Sequence, residues 1–226
     1  MDVWRSDIDL PQDKLDYYQA MLCADELERA ARFKFDNKRR EYIVTRGLLR
    51  EALAVLLKTP AQEIQLTYTA ENKPVLETRG QQQQLVFNAT HSHGQALVAA
   101  SLNRQLGIDI EKIRDDVEYE KLAQRYFSEN EQQALQAYAG DKQAAFFATW
   151  TRKEAFVKAV GKGIAFGLSE FDVTVDPQLE PQMLATRWQA DDVHNWFMAS
   201  LPVAENYQAC VAADGGEIRL RLWQFT

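Results

Sequence analysis

The sequence predicts an α+β fold made of two similar halves, and three observations carry that reading. Short stretches with strand alternation are interspersed with longer stretches of helical period. Gln95-Ala96-Leu97-Val98-Ala99-Ala100 returns as Gln208-Ala209-Cys210-Val211-Ala212-Ala213, and Arg50-Glu51-Ala52-Leu53 returns more weakly as Lys153-Glu154-Ala155-Phe156. The two offsets, 113 and 103 residues, are each about half of the 226-residue chain. Chance likeness of small apolar residues is the alternative. A true duplication predicts halves near 1–104 and 105–226, related by a pseudo-twofold axis, with a ligand cleft between them.

Taken in order, Val3-Trp4 marks a short strand, and Leu15, Tyr18 and Leu22 share a helical face. Asp25 is a candidate N-cap for Glu26 to Phe33. Asp36 or Asn37 precedes a strong helix, Arg39 to Lys58, stopped by Pro60. Ile64 to Thr69 alternates like a strand, Glu71-Asn72-Lys73-Pro74 is a turn, and Gln81 to Gln84 is a polar loop. Leu85 to Asn88 and Ala96 to Ser101 read as buried strands flanking a loop, Thr90-His91-Ser92-His93-Gly94. Gly107 to Lys112 is a strand, and Tyr119 to Tyr126 is helical. Ser128 and Glu131 form a capping box for a helix reaching Tyr138. A further helix runs from near Asp141 to Gly161 or Gly163. The last third reads as strands at 171–175, 186–188, 196–200, 207–213 and 218–224.

The formal net charge of −7 argues against nonspecific binding to DNA or to an anionic membrane. The window Arg29 to Arg50 nevertheless carries +6, leaving −13 elsewhere. Such a patch suits a small polyanion or an acidic protein partner, and equally a solvated helix face. Cys23 and Cys210 have neither metal-type nor redox-type spacing and read as free thiols. With no leader-like start and no apolar run of spanning length, a soluble cytoplasmic protein is expected.

The chemistry concentrates in two stretches. In Gly107-Ile108-Asp109-Ile110-Glu111-Lys112 the isoleucines alternate with two acids, so both carboxylates share one strand face. Two acids on an exposed face serve solubility equally well. In Trp150-Thr151-Arg152-Lys153-Glu154-Ala155-Phe156-Val157-Lys158, Glu154 and Lys158 are four apart on one helical face. Alone that is an ordinary surface ion pair, but the helical wheel sets both beside an apolar arc of Phe146, Trp150, Phe156, Val157 and Val160. Lys153 falls inside the arc and is expected to snorkel. Together, three acids and a lysine suit a divalent cation beside a phosphate-binding group. His91 reads as a structural histidine or, with the Thr90 and Ser92 hydroxyls, as part of a phosphate-binding loop. Lys73 reads most simply as a solvated cation.

These two stretches, some forty residues apart, closely resemble the two signature motifs of the 4′-phosphopantetheinyl transferases. The length and the two-half build resemble the Sfp type. Asn72-Lys73-Pro74 resembles the family's Gly-Lys-Pro turn, and Phe87-Asn88-Ala89-Thr90-His91-Ser92 its Asn-x-Ser-His-Ser loop. Thr45-Arg46-Gly47-Leu48-Leu49 fits the early arginine helix, and Gly161-Lys162-Gly163 the segment after the second motif. The departures are Asn72 for Gly, Thr90 for Ser, and His93 before Gly94.

The resemblance implies the family's fold, with the active site in the cleft. It also implies transfer of the 4′-phosphopantetheine arm of coenzyme A to a serine of an apo acyl or peptidyl carrier protein, releasing adenosine 3′,5′-bisphosphate. Asp109, Glu111 and Glu154 are then the ligands of Mg²⁺, or of Mn²⁺ in its place. Glu154 and Lys158 are the catalytic pair. Arg46, Lys73, Thr90 and His91, with Asp109 and Lys158, are the coenzyme A contacts. The basic window would help to dock an acidic carrier helix. No nucleic acid or membrane partner is expected, and a monomer is, because one chain supplies both halves. Two rival readings are a metal-dependent nuclease built on Asp109, Glu111 and Lys112, which leaves Glu154, Lys158 and the His91 loop unused, and a noncatalytic coenzyme A-binding protein, which needs no metal.

Overall fold

The computed structural model describes residues 1–70, 73–77, 84–163 and 166–224. Glu71 and Asn72 of the expected turn, and Gln81 to Gln83 of the polar loop, lie outside the described residues. The fold is α+β and divides into two compact units, Met1–Leu102 with Leu220–Thr226, and Asn103–Arg219.

The first unit starts with strand β1 (Asp2–Asp7) and three helices, α1 (Gln12–Ala20), α2 (Ala24–Ala31) and α3 (Asp36–Leu57). The hairpin β2 (Leu66–Tyr68) and β3 (Pro74–Leu76) follows, then a second hairpin, β4 (Leu85–Ser92) and β5 (Gln95–Leu102). Helix α3 buries Val44, Leu48, Leu49, Ala52 and Leu53 in a core shared with Trp4, Phe87, Val98 and Ala100 of the strands.

The second unit carries β6 (Leu106–Lys112), α4 (Tyr119–Tyr126), α5 (Glu129–Ala137) and α6 (Lys142–Val160). It continues with the hairpin β7 (Phe171–Val173) and β8 (Met183–Thr186), then β9 (Trp196–Ser200) and β10 (Tyr207–Asp214). Asp141 caps α6 by accepting from the Gln143 and Ala144 amides, and Gly161 ends it with φ +73°. Residues Ala155, Phe156 and Val157 of α6 pack with Phe171, Val173, Met198, Cys210 and Ala212.

The strand orders make the likeness of the halves explicit. The first unit contains β1-β5-β4 and the second β6-β10-β9, antiparallel at every junction. The two copies of the Gln-Ala-x-Val-Ala-Ala segment are the middle strands, β5 and β10. Both copies of the charged helix segment lie on the long helices, α3 and α6.

Several boundaries differ from the sequence reading. The sequence places the last strand, β11 (Arg221–Gln224), in the second half, 105–226. It pairs in parallel with β1 and extends the first unit's sheet to β11-β1-β5-β4. Arg221 and the Trp223 indole both donate to the Asp2 carboxylate, at 2.7 and 2.9 Å. Helix α2 is capped at Cys23 rather than Asp25, because the Glu26 carboxylate turns back to accept the Cys23 amide at 3.1 Å. Helix α3 begins at Asp36, three residues earlier than read. The strand expected at 186–188 lies at Met183–Thr186. Finally, the expected loop at Thr90–Gly94 is a two-residue turn. His93 (φ 41°) and Gly94 (φ 104°) take left-handed conformations, so β4 runs on through Thr90, His91 and Ser92.

Candidate active site

Four of the charged residues singled out in the sequence meet in the second unit. Asp109 stands opposite Cys210 in the sheet, and Cys210 packs beneath Ala155 and Phe156, so the Asp109 side of β6 is the side that carries α6. Gly107 lets the two elements come together. A Cβ there would overlap the Ala155 carbonyl oxygen and the Ala159 nitrogen of α6.

The Lys158 ammonium bonds Asp109 Oδ1 at 2.6 Å and reaches the Ile108 carbonyl at 3.4 Å. Asp109 is 3% exposed, whereas the Lys158 side chain is partly open to solvent. Glu154 lies one turn before Lys158. Its pKa is raised, first by burial and then by the negative charges of Asp109 and Glu111, with Lys158 acting in the opposite sense. Its Oε1 is buried and accepts no hydrogen bond. A glutamate held towards its neutral form by burial and by two neighbouring acids, with an unsatisfied buried oxygen, belongs to a donor set short of positive charge.

That donor set fits a hard divalent cation in kind: oxygen donors, net negative charge, and an oxygen awaiting a partner. No three Asp, Glu, His or Cys side chains among the described residues form a ready cage, however. The arrangement therefore suits an ion held by one or two carboxylates and completed by substrate phosphates and water, as Mg²⁺ commonly is.

Lys153, expected to snorkel, does the opposite. Its side chain is 0% exposed, and its ammonium bonds the Leu168 carbonyl (2.7 Å), the Phe171 carbonyl (2.6 Å) and Glu131 (2.8 Å). It also lies 4.2 Å from the Phe171 ring centroid.

The other four predicted residues lie in the first unit. Arg46 is buried on α3, 3.3 Å from Glu26, donates to the Tyr68 hydroxyl at 3.1 Å, and faces the rings of Tyr42 and Tyr68. Lys73 closes the β2–β3 hairpin, its carbonyl accepting from the Thr69 amide at 2.9 Å. Thr90 and His91 are consecutive on β4 and so face opposite sides. Thr90 is buried. The His91 ring is partly exposed, with Nδ1 4.0 Å from a Glu41 carboxylate that Lys38 also pairs at 2.7 Å.

The sequence reading missed a cleft of about 860 Å³ in this unit, lined by Arg29, Arg32, Tyr42, Arg50, Leu66 and Tyr68 among others. The +6 window holds its arginines and Tyr42, but nothing local in the sequence joins them to Leu66 and Tyr68.

The 4′-phosphopantetheinyl transferase superfamily profile matches residues 105–212, and a 4′-phosphopantetheinyl transferase N-terminal profile matches residues 11–103. The 4′-phosphopantetheinyl transferase HetI of Nostoc is 36% identical over 99% of this chain and 91% of its own length. The 4′-phosphopantetheinyl transferase psf-1 of Bacillus pumilus is 36% identical over 63% of this chain and 59% of its own. The L-aminoadipate-semialdehyde dehydrogenase-phosphopantetheinyl transferase of Xenopus laevis is 31% identical over 70% and 57%.

Proposed function

Because the chain belongs to the 4′-phosphopantetheinyl transferase superfamily, we propose that its Asp109–Glu111–Glu154–Lys158 cluster carries out the family's transfer. The reaction moves the phosphopantetheine arm of coenzyme A onto a serine of an apo carrier protein. The observation that carries this assignment is the Lys158–Asp109 contact beside Glu154, whose buried oxygen accepts no hydrogen bond.

Asp109, Glu111 and Glu154 would hold Mg²⁺, or Mn²⁺ in its place. When bound, the ion screens the charge of the coenzyme A pyrophosphate. The chain's own residues account for the rest. The serine oxygen attacks the phosphorus bearing the pantetheine arm. The bond from that phosphorus to the bridging oxygen breaks, and adenosine 3′,5′-bisphosphate leaves with the electron pair. Glu154 takes the serine proton, directly or through water. Lys158, anchored by Asp109, offers its ammonium to the phosphate of the leaving group.

Arg46, Lys73 and His91 hold the 3′-phosphate and adenine end of coenzyme A, with Thr90 beside them. Tyr42 and Tyr68 line the neighbouring cleft and offer aromatic faces suited to an adenine ring, and its arginines Arg29, Arg32 and Arg50 are matched by Asp25, Glu26 and Glu28. The basic window also favours an acidic carrier, mainly by raising the association rate. The protein acts as a monomer. No described helix is long and apolar enough to cross a membrane.

The test is incubation with coenzyme A, Mg²⁺ and apo carrier proteins of fatty-acid, polyketide and peptide synthesis, read by mass spectrometry. A phosphopantetheine-sized gain on a carrier serine is expected. No gain on any of the three would sink the assignment.

A further inference from the structure

Each long helix carries a buried cation next to a glutamate, and in both units that cation is held in the same way. In the second unit Lys153 pairs with Glu131, and Glu131 also accepts the Ser128 amide at 3.0 Å and the Val173 amide at 2.8 Å. Glu131 is the capping-box residue of α5. In the first unit Arg50 pairs with Glu26, which accepts the Cys23 amide as the corresponding residue of α2. Arg50 donates to the Ala61 and Ile64 carbonyls, as Lys153 does to those of Leu168 and Phe171. The carbonyl pairs share a three-residue spacing, and both cations are almost wholly buried.

A buried ion pair is a poor way to gain stability, because desolvation consumes most of the attraction. Its strength is geometric. The three acceptors around Lys153 use all three ammonium donors, so the side chain can sit in one place only. At about 100° per residue, the α6 residues that meet Gly107, Ala155 and Ala159, lie on the opposite side of the helix from Lys153. Glu154 and Lys158 fall between these two contacts. A helix gripped on opposite sides cannot turn about its axis, and a turn is the motion that would take Glu154 and Lys158 away from β6.

We propose that Lys153 and Glu131 are positioning residues: their pair fixes the rotation of α6 and thereby the placement of Glu154 and Lys158 against Asp109 and Glu111. The effect on metal affinity rests on the metal-binding reading above; the effect on placement does not.

The test is the double variant Glu131→Gln/Lys153→Met, which replaces the charged pair with neutral side chains of similar size. The matched variant in the first unit, Glu26→Gln/Arg50→Met, is the control. Mn²⁺ affinity is followed by electron paramagnetic resonance, and a crystal structure gives the Lys158–Asp109 separation, now 2.6 Å. The Lys153 variant is expected to lose about tenfold or more in Mn²⁺ affinity, the range of supporting-partner effects, and to lose the Lys158–Asp109 hydrogen bond. The control is expected to keep both. Wild-type affinity and an unchanged separation in a folded Lys153 variant overturn the proposal, as does an equal loss in the control. If the wild-type protein binds no Mn²⁺, the metal reading fails and the separation alone decides the positioning role. If the double variant does not fold, Glu131→Gln, which keeps the shape, is expected to lower affinity a few-fold and lengthen the Lys158–Asp109 separation. No change in either measurement counts against the lock.

Discussion

Lys158 holds Asp109 through a 2.6 Å ion pair across the junction of α6 and β6, one helical turn from Glu154. The lysine thus occupies an oxygen of one proposed metal ligand while lying close to another. In the protein alone, its ammonium supplies part of the positive charge that the acids lack.

Removing that ammonium should therefore alter metal binding and catalysis in opposite directions. Lys158→Met is expected to bind Mn²⁺ at least as tightly as wild type, because a competitor for Asp109 is gone. Its turnover is expected to fall by about a hundredfold or more, as when one preorganised transition-state donor is lost. Parallel titration and transfer assays check this; weaker Mn²⁺ binding in the variant would show that Lys158 does not compete for Asp109.

Glu154→Gln keeps the side chain's size and removes its basicity and charge. Transfer should drop by about 10²–10⁴-fold, the range for a lost general base, while circular dichroism and the melting temperature stay close to wild type. Asp109→Ala should lose transfer as well, again with the fold retained. A wild-type rate in either variant would remove that residue from the mechanism.

The ionisation of Glu154 gives a separate test without metal. Burial, Asp109 and Glu111 all favour its neutral form. A carboxyl-labelled NMR titration should place its midpoint above the ordinary glutamate range. Glu111→Gln deletes one neighbouring negative charge, so the midpoint should move down. In transfer assays with Mg²⁺ the cation favours the carboxylate, so the rate should begin to fall only at a pH below the metal-free midpoint. An unmoved midpoint in Glu111→Gln would mean that Glu111 is too remote to act in the cluster.

How far such a site can be read in advance depends on sequence distance. The alternation of Ile108, Asp109, Ile110 and Glu111, the four-residue step from Glu154 to Lys158, the Ser128–Glu131 box and the Gly161 stop are local patterns, and each appears in the structure. What escaped is nonlocal. Lys153 reads as a snorkelling residue because its acceptors are 22 residues before it and 15 and 18 after it. The partner of β11 is β1, at the other end of the chain. His91 is a local miss: the polar run Thr90-His91-Ser92-His93-Gly94 reads as one loop, whereas only His93 and Gly94 turn and β4 continues to Ser92.

That placement of His91 bears on ligand discrimination. Its ring is partly exposed on β4, near Lys38 and Glu41 of α3. If it contacts the 3′-phosphate, His91→Ala should weaken coenzyme A binding by roughly tenfold, in keeping with one lost charge-assisted hydrogen bond. Dephospho-coenzyme A, which lacks that phosphate, should bind the variant and the wild type alike. Calorimetry with both ligands checks this, and equal losses would take His91 off the 3′-phosphate.

Gly107 supplies the last prediction, because it separates close packing from backbone strain. A methyl group at 107 would overlap backbone atoms of α6, which cannot swing aside as a side-chain tip would. Gly107→Ala must push α6 off β6, at about 1–3 kcal/mol for overpacking. Gly161→Ala is the comparison. Its added methyl meets nothing within 4 Å, and only the left-handed backbone, φ +73°, resists it, at roughly 1–2 kcal/mol. The two substitutions should thus lower the melting temperature to a similar extent, yet only Gly107→Ala should displace Glu154 and Lys158 and reduce Mn²⁺ affinity. Equal Mn²⁺ affinity in the two variants would mean that the approach of α6 to β6 does not set the geometry of the acids.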